Sequence, residues 1–270
     1  MDETLSGTAP GYVCPECRHA LQPRADGLVC VPCDRTYPLV GGIPDFISPG
    51  PQADGASLLR LAKKADLLAP IYESRAWYQF ALWTAGARRS SVESIAEFHA
   101  RSLDGVGGSI LDVACGPATY ARRLASPTRA MCGIDISMGM LQKGAAYIAR
   151  DHVPGVQLAR ARVERLPFEA AVFNGAICSG SLHLFPDTVA SLAEIGRVMR
   201  AGAPLTVQTF IKGNTRVGVL MHLFRVSRAV QRFGPPELQR CLAEAGFEGF
   251  RSETDGIVIL FGARRASPSV

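Results

Sequence analysis

The alternation of apolar segments from Ser109 onward constrains the fold of this chain more than any other feature. Segments of strand length (SILDVAC, AMCGIDI, VQLARA, GAICSGS and LTVQTF) are interspersed with amphipathic segments of helix length such as ATYARRLAS and MGMLQKGAAYIARD, and FRSETD and GIVILFGARR end the series. Continuous apolar strands in repeated strand–helix units predict a doubly wound, Rossmann-like α/β domain with a mostly parallel seven-stranded sheet. Ligands of such sheets bind at the carboxyl ends of the central strands.

The loop LDVACGPAT follows the first of these strands and precedes a helix. Gly116 permits close approach of a ligand to the backbone, and Pro117 enters the helix without wasting an amide. Ala114 and Ala118 replace glycines of a dinucleotide loop, which argues against a pyrophosphate cradle. The carboxylate of Asp112 would repel phosphate and attract an amine.

A second acid, Asp135, ends the next strand in the segment GIDIS. It follows the loop by about 20 residues, the spacing of a carboxylate that binds ribose hydroxyls. One acid near an amine and one near a ribose fit S-adenosylmethionine better than a dinucleotide. Taken alone, a structural turn explains Gly116 almost as well.

Later motifs strengthen this interpretation, because the chain resembles the class I S-adenosylmethionine-dependent methyltransferases of the type 11 group over residues 109–264. The segments that carry the resemblance stand in the family's order: ILDVACGPATYARRL, GIDISMGML, ARVERLPF, SGSLHLFPD, IGRVMRAGAPL and LAEAGF. Over the whole chain there is a closer resemblance to zinc-ribbon methyltransferases of plants and bacteria. It rests on four N-terminal cysteines, the aromatic segment 72–80, ACG and SGSLH.

The resemblance implies a cofactor site along the carboxyl edge of the sheet. Asp112 and the backbone of residues 114–116 would hold the methionine end, Asp135 the ribose, and Met138 would pack on the adenine side. The residues expected to bind the cofactor are Asp112, Ala114, Cys115, Gly116, Asp135, Ile136, Met138, Arg162, Val163 and Ser179.

One of these positions departs from the family pattern. The family usually has Asp where this chain has Arg162. A guanidinium donates hydrogen bonds and cannot accept them from the adenine amine. The backbone amide of Val163 remains available to the adenine.

His183, after the fourth strand, is the candidate catalytic residue. It is expected at the sheet edge where the methyl acceptor approaches, either as the base that takes the acceptor's proton or as a group that orients the acceptor. The alternative is a histidine that packs on the cofactor or hydrogen-bonds a loop. The insertion at about 211–234, which contains His222, is apolar with few acids and indicates a hydrophobic acceptor.

Two Cys-x-x-Cys pairs near the N-terminus predict a small metal-binding module. Cys14, Cys17, Cys30 and Cys33 offer four thiolates, which suit Zn²⁺ although the spacing between the pairs is slightly short for a zinc ribbon. Four thiolates leave no open coordination position, so the zinc is expected to be structural. We expect the ribbon to be independent, so that its loss leaves the cofactor site largely intact. The other cysteines have apolar neighbours and are expected in the core: Cys115, Cys132, Cys178 and Cys241.

These patterns divide the chain into three parts. Residues 1–50 are the predicted zinc-ribbon module, 51–108 a linker and helical lid segment, and 109–270 the methyltransferase domain. The Pro/Gly/Ser-rich stretch 48–57 spans the first boundary and leads into helices broken at Pro70 and Gly86. Aromatic residues at helical spacing in this segment are expected to be core residues, with a pocket wall as the alternative: Tyr72, Trp77, Tyr78, Phe80 and Trp83.

Charge and composition bear on the partner. The net charge of +5 comes from scattered basic residues, and the ribbon holds about as many acids as bases. A small-molecule acceptor with an O, N or S nucleophile is therefore expected, and RNA is the less favoured alternative. The third hypothesis is a protein that binds the cofactor without catalysing a reaction. The sequence does not define the oligomeric state.

Neither a signal peptide nor a membrane-spanning apolar run is recognisable in the sequence. We expect a cytoplasmic protein without a membrane partner.

Overall fold

The computed structural model describes residues 9–47, 74–212 and 233–267, with the side chains of 75–77 left aside. The predicted linker at 48–57, the predicted break at Pro70, Tyr72, the side chain of Trp77 and nearly all of the 211–234 insertion with His222 lie outside the described part.

The N-terminal residues form a small antiparallel sheet. Its strands, in spatial order, are β1 (Gln22–Arg24), β2 (Gly27–Cys30), β3 (Arg35–Val40) and β4 (Ile43–Pro44). Gly41 and Gly42 connect β3 to β4 with φ angles of 61° and 81°. Two consecutive positive φ angles define the tight hairpin turn for which glycine is suited. β1 and β2 form a hairpin between the two cysteine pairs, and β3 leads into the glycine turn.

Two helices follow, and they separate at a glycine as predicted. Helix α1 (Arg75–Thr84) ends just before Gly86, whose φ is 70°, and α2 is Val92–Ser102. Ser91 caps α2, because its side chain accepts a hydrogen bond from the Ser94 amide while the Ser94 hydroxyl bonds back to the Ser91 amide.

The described aromatic side chains of α1 do not form the expected core. Trp83 and Phe80 are 66% and 54% exposed, and Tyr78 is half-buried. The buried face of the helix is formed instead by Leu82, which packs against Ala85 and Val258. The helix is too short and too peripheral to bury more than one face.

The main sheet has the predicted seven strands. In chain order they are β5 (Gly108–Val113), β6 (Arg129–Asp135), β7 (Val156–Arg160), β8 (Gly175–Ser179), β9 (Pro204–Phe210), β10 (Phe247–Asp255) and β11 (Val258–Arg265). Their spatial order is β10-β11-β9-β8-β5-β6-β7. The pairs from β7 to β9 are parallel, and β11 is antiparallel to both β9 and β10. The mostly parallel doubly wound sheet is therefore confirmed.

Helices cover both faces of this sheet. They are α3 (Thr119–Leu124), α4 (Met138–Arg150), α5 (Thr188–Val198) and α6 (Pro235–Glu244), and a 3₁₀ turn is formed by Leu182–Leu184. All six residues of β5 are buried, as expected for a central parallel strand. Two apolar clusters, one on each side, hold the helices against the strands.

Within the described ranges, no helix combines the length and hydropathy needed to cross a lipid bilayer.

Candidate functional site

The loop between β5 and α3 keeps a glycine-loop conformation with few glycines. Ala114, Gly116 and Ala118 have φ angles of 53°, 54° and 59°. The left-handed conformation costs an alanine about 1 kcal/mol, so the two alanines bear strain that glycine would avoid. In the sequence the two alanines argued against a pyrophosphate cradle. In the structure Ala114 and Ala118 adopt the positive φ angles that glycine usually provides.

Asp135 at the end of β6 fastens this loop. Its Oδ2 accepts a hydrogen bond from the Gly116 amide and its Oδ1 accepts one from the Ser137 amide, both at 2.8 Å. A carboxylate has about four acceptor positions. The two amides fix the orientation of the carboxylate at the end of β6.

Asp112 lies deeper, at the end of β5. It is 1% exposed, and its Oδ2 accepts a hydrogen bond from the Ala121 amide at 3.2 Å. Ala121 lies in the first turn of α3, and the N-cap residue Ala118 has no side chain that could accept from this turn. Asp112 therefore takes the place of a capping side chain. Burial raises the pKa of Asp112 to about 8. Near neutral pH this carboxyl is mostly protonated, and a neighbouring ammonium would favour its ionised form.

On the other side of β5, the end of β8 carries the remaining candidates. Ser179 is half-buried, and its hydroxyl lies 2.6 Å from Nε2 of His99 on α2. Nδ1 of His99 lies 3.1 Å from the Thr206 hydroxyl, and complete burial lowers the pKa of His99 to about 3. A neutral imidazole thus fixes the Ser179 hydroxyl. His99 was missed in the sequence, because it lies on a distant helix and no local motif marks it.

His183 lies in the 3₁₀ turn after β8, close to where the sequence predicted it. It is 8% exposed, and its Nδ1 lies 3.1 Å from the Thr209 hydroxyl. The Phe210 ring packs edge-on at 5.1 Å. Burial lowers the pKa of His183 to about 4, so its imidazole is neutral at physiological pH.

The adenine-side candidates follow the ends of β6 and β7. Ile136 is half-buried, and its carbonyl oxygen accepts a hydrogen bond from Arg160 at 2.9 Å. Val163 is buried, Met138 is half-buried, and Arg162 forms an ion pair with Glu164 at 3.5 Å. The charge that replaces the family's Asp is thus paired within its own loop.

All the predicted cofactor-binding residues and His183 lie at or just after the carboxyl ends of four neighbouring strands, β7, β6, β5 and β8. The parallel register brings these ends to one edge of the sheet, although the residues are spread over 72 positions from Asp112 to His183.

The four N-terminal cysteines converge as predicted. Their sulfur atoms all lie within 4.8 Å of one another, with Cys17 and Cys30 at 3.3 Å and Cys14 and Cys33 at 3.9 Å. Thiolates around a tetrahedral Zn²⁺ with bonds of about 2.3 Å lie about 3.8 Å apart. The cluster therefore fits a four-thiolate metal site with no open position.

Comparison with known proteins agrees with this geometry. A methyltransferase domain family model matches residues 110–202. A demethylmenaquinone methyltransferase of Mycolicibacterium paratuberculosis is 32% identical over 185 residues, which are 60% of this chain and 77% of that protein. An uncharacterised chloroplastic methyltransferase of Arabidopsis thaliana is 26% identical over 168 residues, which are 59% of this chain. The match spans only 47% of the Arabidopsis protein, about half its length.

Among solved structures, the cyclase SpnF superposes with a TM-score of 0.63 at 17% identity, covering 76% of this chain and 95% of that one. At this identity the likeness concerns the fold alone. The family model, the relative matched over most of its length and the shared sheet architecture agree: the chain belongs to the class I S-adenosylmethionine-dependent methyltransferases and carries an N-terminal four-cysteine cluster.

Proposed function

We propose that the protein methylates a small apolar acceptor with a quinol-type ring. The observation that carries this proposal is the neutral, buried imidazole of His183 at the same sheet edge as Asp112 and Asp135. The similarity to a demethylmenaquinone methyltransferase supports a ring of this class. A quinol offers both a phenolic oxygen and a ring carbon as nucleophile. Carbon is therefore a further possible nucleophile beside the O, N and S expected from the sequence.

The roles proposed for the strand-end residues follow from their chemistry. Asp112 is a buried acid suited to the ammonium of an amino acid, and Asp135 is an oriented carboxylate suited to ribose hydroxyls. Ala114, Cys115 and Gly116 would line the methionine end with backbone. Ile136, Met138 and Val163 would lie beside the nucleoside, and Arg162 would close that wall through its ion pair with Glu164.

S-adenosylmethionine supplies an electrophilic methyl group, and sulfonium displacement needs alignment more than acid catalysis. His183 would accept a hydrogen bond from the acceptor hydroxyl and take its proton as the nucleophile bonds to the methyl carbon. The bond from that carbon to the sulfonium sulfur would break, and the neutral thioether S-adenosylhomocysteine would leave. The Thr209 hydroxyl at Nδ1 keeps the ring oriented. A pKa near 4 makes this imidazole a weak base, so orientation is the larger part of its role.

We also propose that Cys14, Cys17, Cys30 and Cys33 hold one structural Zn²⁺. The sulfur separations support it, and a sheet this small needs a metal for stability.

RNA as acceptor is less well supported, because two of the three arginines in residues 14–46 form ion pairs with acids. Arg18 pairs with Glu194 and Arg35 pairs with Glu16, both at 3.5 Å. These ion pairs leave little free positive charge for a phosphate backbone. The non-catalytic alternative predicts cofactor binding without turnover.

The test is methyl transfer from labelled S-adenosylmethionine to three acceptors: a reduced naphthoquinone with an alkyl chain, total RNA and a metabolite extract. We expect label in the quinol or in an apolar metabolite, with His183→Ala as the matched low-activity control. Incorporation into RNA would support the first alternative, and cofactor binding with no labelled product would support the second. Mass spectrometry of the product distinguishes carbon from oxygen methylation.

A further inference from the structure

The N-terminal residues 9–47, here called the cysteine ribbon, pack against the part of the sheet where the nucleoside is expected. We propose that the cysteine ribbon helps to form the cofactor site. The ribbon positions Arg160, and Arg160 in turn positions the segment 135–137. Metal bound in the cysteine cluster therefore raises the affinity for S-adenosylmethionine. This inference rests on the proposed cofactor site.

The cysteine ribbon is joined to the edge strand β7 by main-chain contacts. The Phe46 amide donates to the Arg160 carbonyl at 2.8 Å, and Asp45 and Arg160 form a parallel bridge. The ribbon thus covers an edge that would otherwise expose unpaired backbone groups.

A largely buried ion pair lies at this junction. Arg160 Nη1 donates to Asp45 Oδ2 at 2.9 Å, and the two side chains are 17% and 12% exposed. The Nε of the same guanidinium donates to the Ile136 carbonyl at 2.9 Å. The rigid planar fork of arginine therefore fixes two groups at once, one in the ribbon and one in the main domain.

The Ile136 carbonyl lies within the segment that orients the ribose candidate. Asp135 precedes it, and its carboxylate accepts from the amides of Ser137 and Gly116. A continuous line of hydrogen bonds thus runs from Asp45 through Arg160 to residues 135–137 and on to the loop after β5.

A second set of contacts holds the other wall. The Tyr12 ring packs between Phe46 and Phe168 at 5.2 and 5.4 Å, and its hydroxyl donates to the Leu158 carbonyl at 3.3 Å. The Val13 amide donates to the Pro167 carbonyl at 2.9 Å. These contacts fix the beginning and end of the segment 158–168, which contains two of the adenine-side candidates, Arg162 and Val163.

The metal cluster is connected to this junction through packed groups. The Cys14 sulfur lies 3.2 Å from the Tyr37 hydroxyl, and the Tyr37 ring packs on Phe46 at 5.1 Å. A sheet of this size has too small a core to stay folded without its metal. Loss of the metal would release Asp45 and Phe46, and Arg160 would lose its anchor. Under this proposal, loss of the ribbon weakens the cofactor site, whereas the sequence led us to expect a cofactor site that stays largely intact.

The test uses the full chain and measures S-adenosylmethionine affinity by calorimetry, zinc content by mass spectrometry and amide hydrogen exchange in residues 135–137. Asp45→Asn removes the ion pair and retains the four cysteines. We expect its affinity to fall about 5- to 50-fold, within the usual range of coupling between sites, with zinc content unchanged and faster exchange in 135–137. Arg35→Gln is the matched control, because it removes a ribbon ion pair that does not reach Arg160; its affinity should stay within twofold of wild type.

Two further samples keep the proposal testable if Asp45→Asn fails to fold. Arg160→Lys retains a cation for Asp45, but a single ammonium lacks the fork that serves both partners, and it should weaken affinity similarly. Protein stripped of metal and then reloaded should lose and regain affinity. Wild-type affinity and exchange in either folded variant would overturn the route through Arg160, even if metal removal weakened binding. If the wild type does not bind S-adenosylmethionine at all, the proposed cofactor site fails instead.

Discussion

At the scale of single residues, the site is defined by burial of groups that prefer water. Asp112, His99 and His183 are each less than 9% exposed, and burial moves their pKa values toward the neutral form of each group. A buried acid and neutral imidazoles at one edge suit a site that receives a cationic amino acid and a weakly acidic nucleophile.

Asp112 predicts a pH dependence of cofactor binding. An ammonium binds the ionised carboxyl better, and the pKa of that carboxyl is raised to about 8. Affinity for S-adenosylmethionine should therefore rise as the pH increases from 6 toward 8, with proton release on binding. Asp112→Asn should remove this dependence and weaken affinity about tenfold or more, because a charge-assisted bond is lost. Calorimetry in buffers of different ionisation enthalpy measures both; equal wild-type affinity at pH 6 and 8 would contradict the assignment.

The same raised pKa has a consequence for stability without ligand. A carboxyl whose pKa is higher when folded favours the folded state below its unfolded pKa of about 4, and this contribution is lost as the pH rises through about 8. Between pH 5 and pH 9, the free energy of unfolding should therefore fall more in the wild type than in Asp112→Asn. Thermal denaturation at the two pH values checks the sign.

His183 predicts a loss of turnover. His183→Ala should lower kcat by about 10²-fold or more if the imidazole takes the proton, while cofactor affinity stays near wild type. Because burial lowers the pKa to about 4, wild-type kcat should be level down to about pH 5 and fall below it. Weaker cofactor binding with unchanged kcat would indicate that the ring packs on the cofactor.

At the scale of elements, hydrogen bonds hold connecting segments in place where few apolar side chains pack. Asp255, at the end of β10, accepts hydrogen bonds from the amides of Arg88, Arg89 and Ser90 between 2.7 and 3.1 Å. The segment between α1 and α2 is thereby tied to the antiparallel edge of the sheet. Burial would raise the pKa of Asp255, but these amides outweigh it and hold the pKa at about 2.

Replacement of Asp255 should loosen α1. Asp255→Ala should lower the free energy of unfolding by about 1–3 kcal/mol at pH 7, and the wild type should lose this contribution as the pH falls from about 4 toward 2. Arg89→Gln is the control, since its 4.0 Å ion pair with Asp255 comes from a side chain that is 80% exposed and should contribute less than about 0.5 kcal/mol. Urea unfolding of both variants distinguishes them, and equal losses would show that the amide contacts are dispensable.

At the scale of the whole molecule, two folded parts share one boundary. Tyr12, Asp45 and Phe46 of the cysteine ribbon form hydrogen bonds with Leu158 and Arg160 of the main domain. The ribbon's metal is therefore expected to stabilise more than the ribbon itself.

The purified protein should contain about one Zn²⁺ per chain. With the metal bound, Cys241 is the half-exposed thiol outside the cluster in the described part of the chain, whereas Cys115, Cys132 and Cys178 are buried. A thiol reagent should react quickly with about one thiol in the native protein, and with four more after metal removal. Absence of metal, with the cluster thiols freely reactive in folded protein, would reject the site.

Local pattern was enough to predict several features. Apolar periodicity predicted seven strands and their parallel core, since continuous apolar strands require cover on both faces. The position of acids at strand ends predicted Asp112 and Asp135, and the paired Cys-x-x-Cys spacing predicted the cysteine cluster. Each of these signals lies within a few residues of the group it identifies.

Other features were decided only by tertiary packing. The pairing of Ser179 with His99 joins residues 80 positions apart, and the fork of Arg160 joins Asp45 to Ile136 across 115 and 24 positions. The exposure of Phe80 and Trp83 depends on what packs against α1, which composition does not specify. The sequence by itself determined the elements and the polar side chains at the strand ends, because these follow from local periodicity. The tertiary structure alone decided which buried polar groups contact each other and how the ribbon packs on β7. A buried charge needs an oppositely charged or hydrogen-bonding partner, and that partner can lie far away in the sequence.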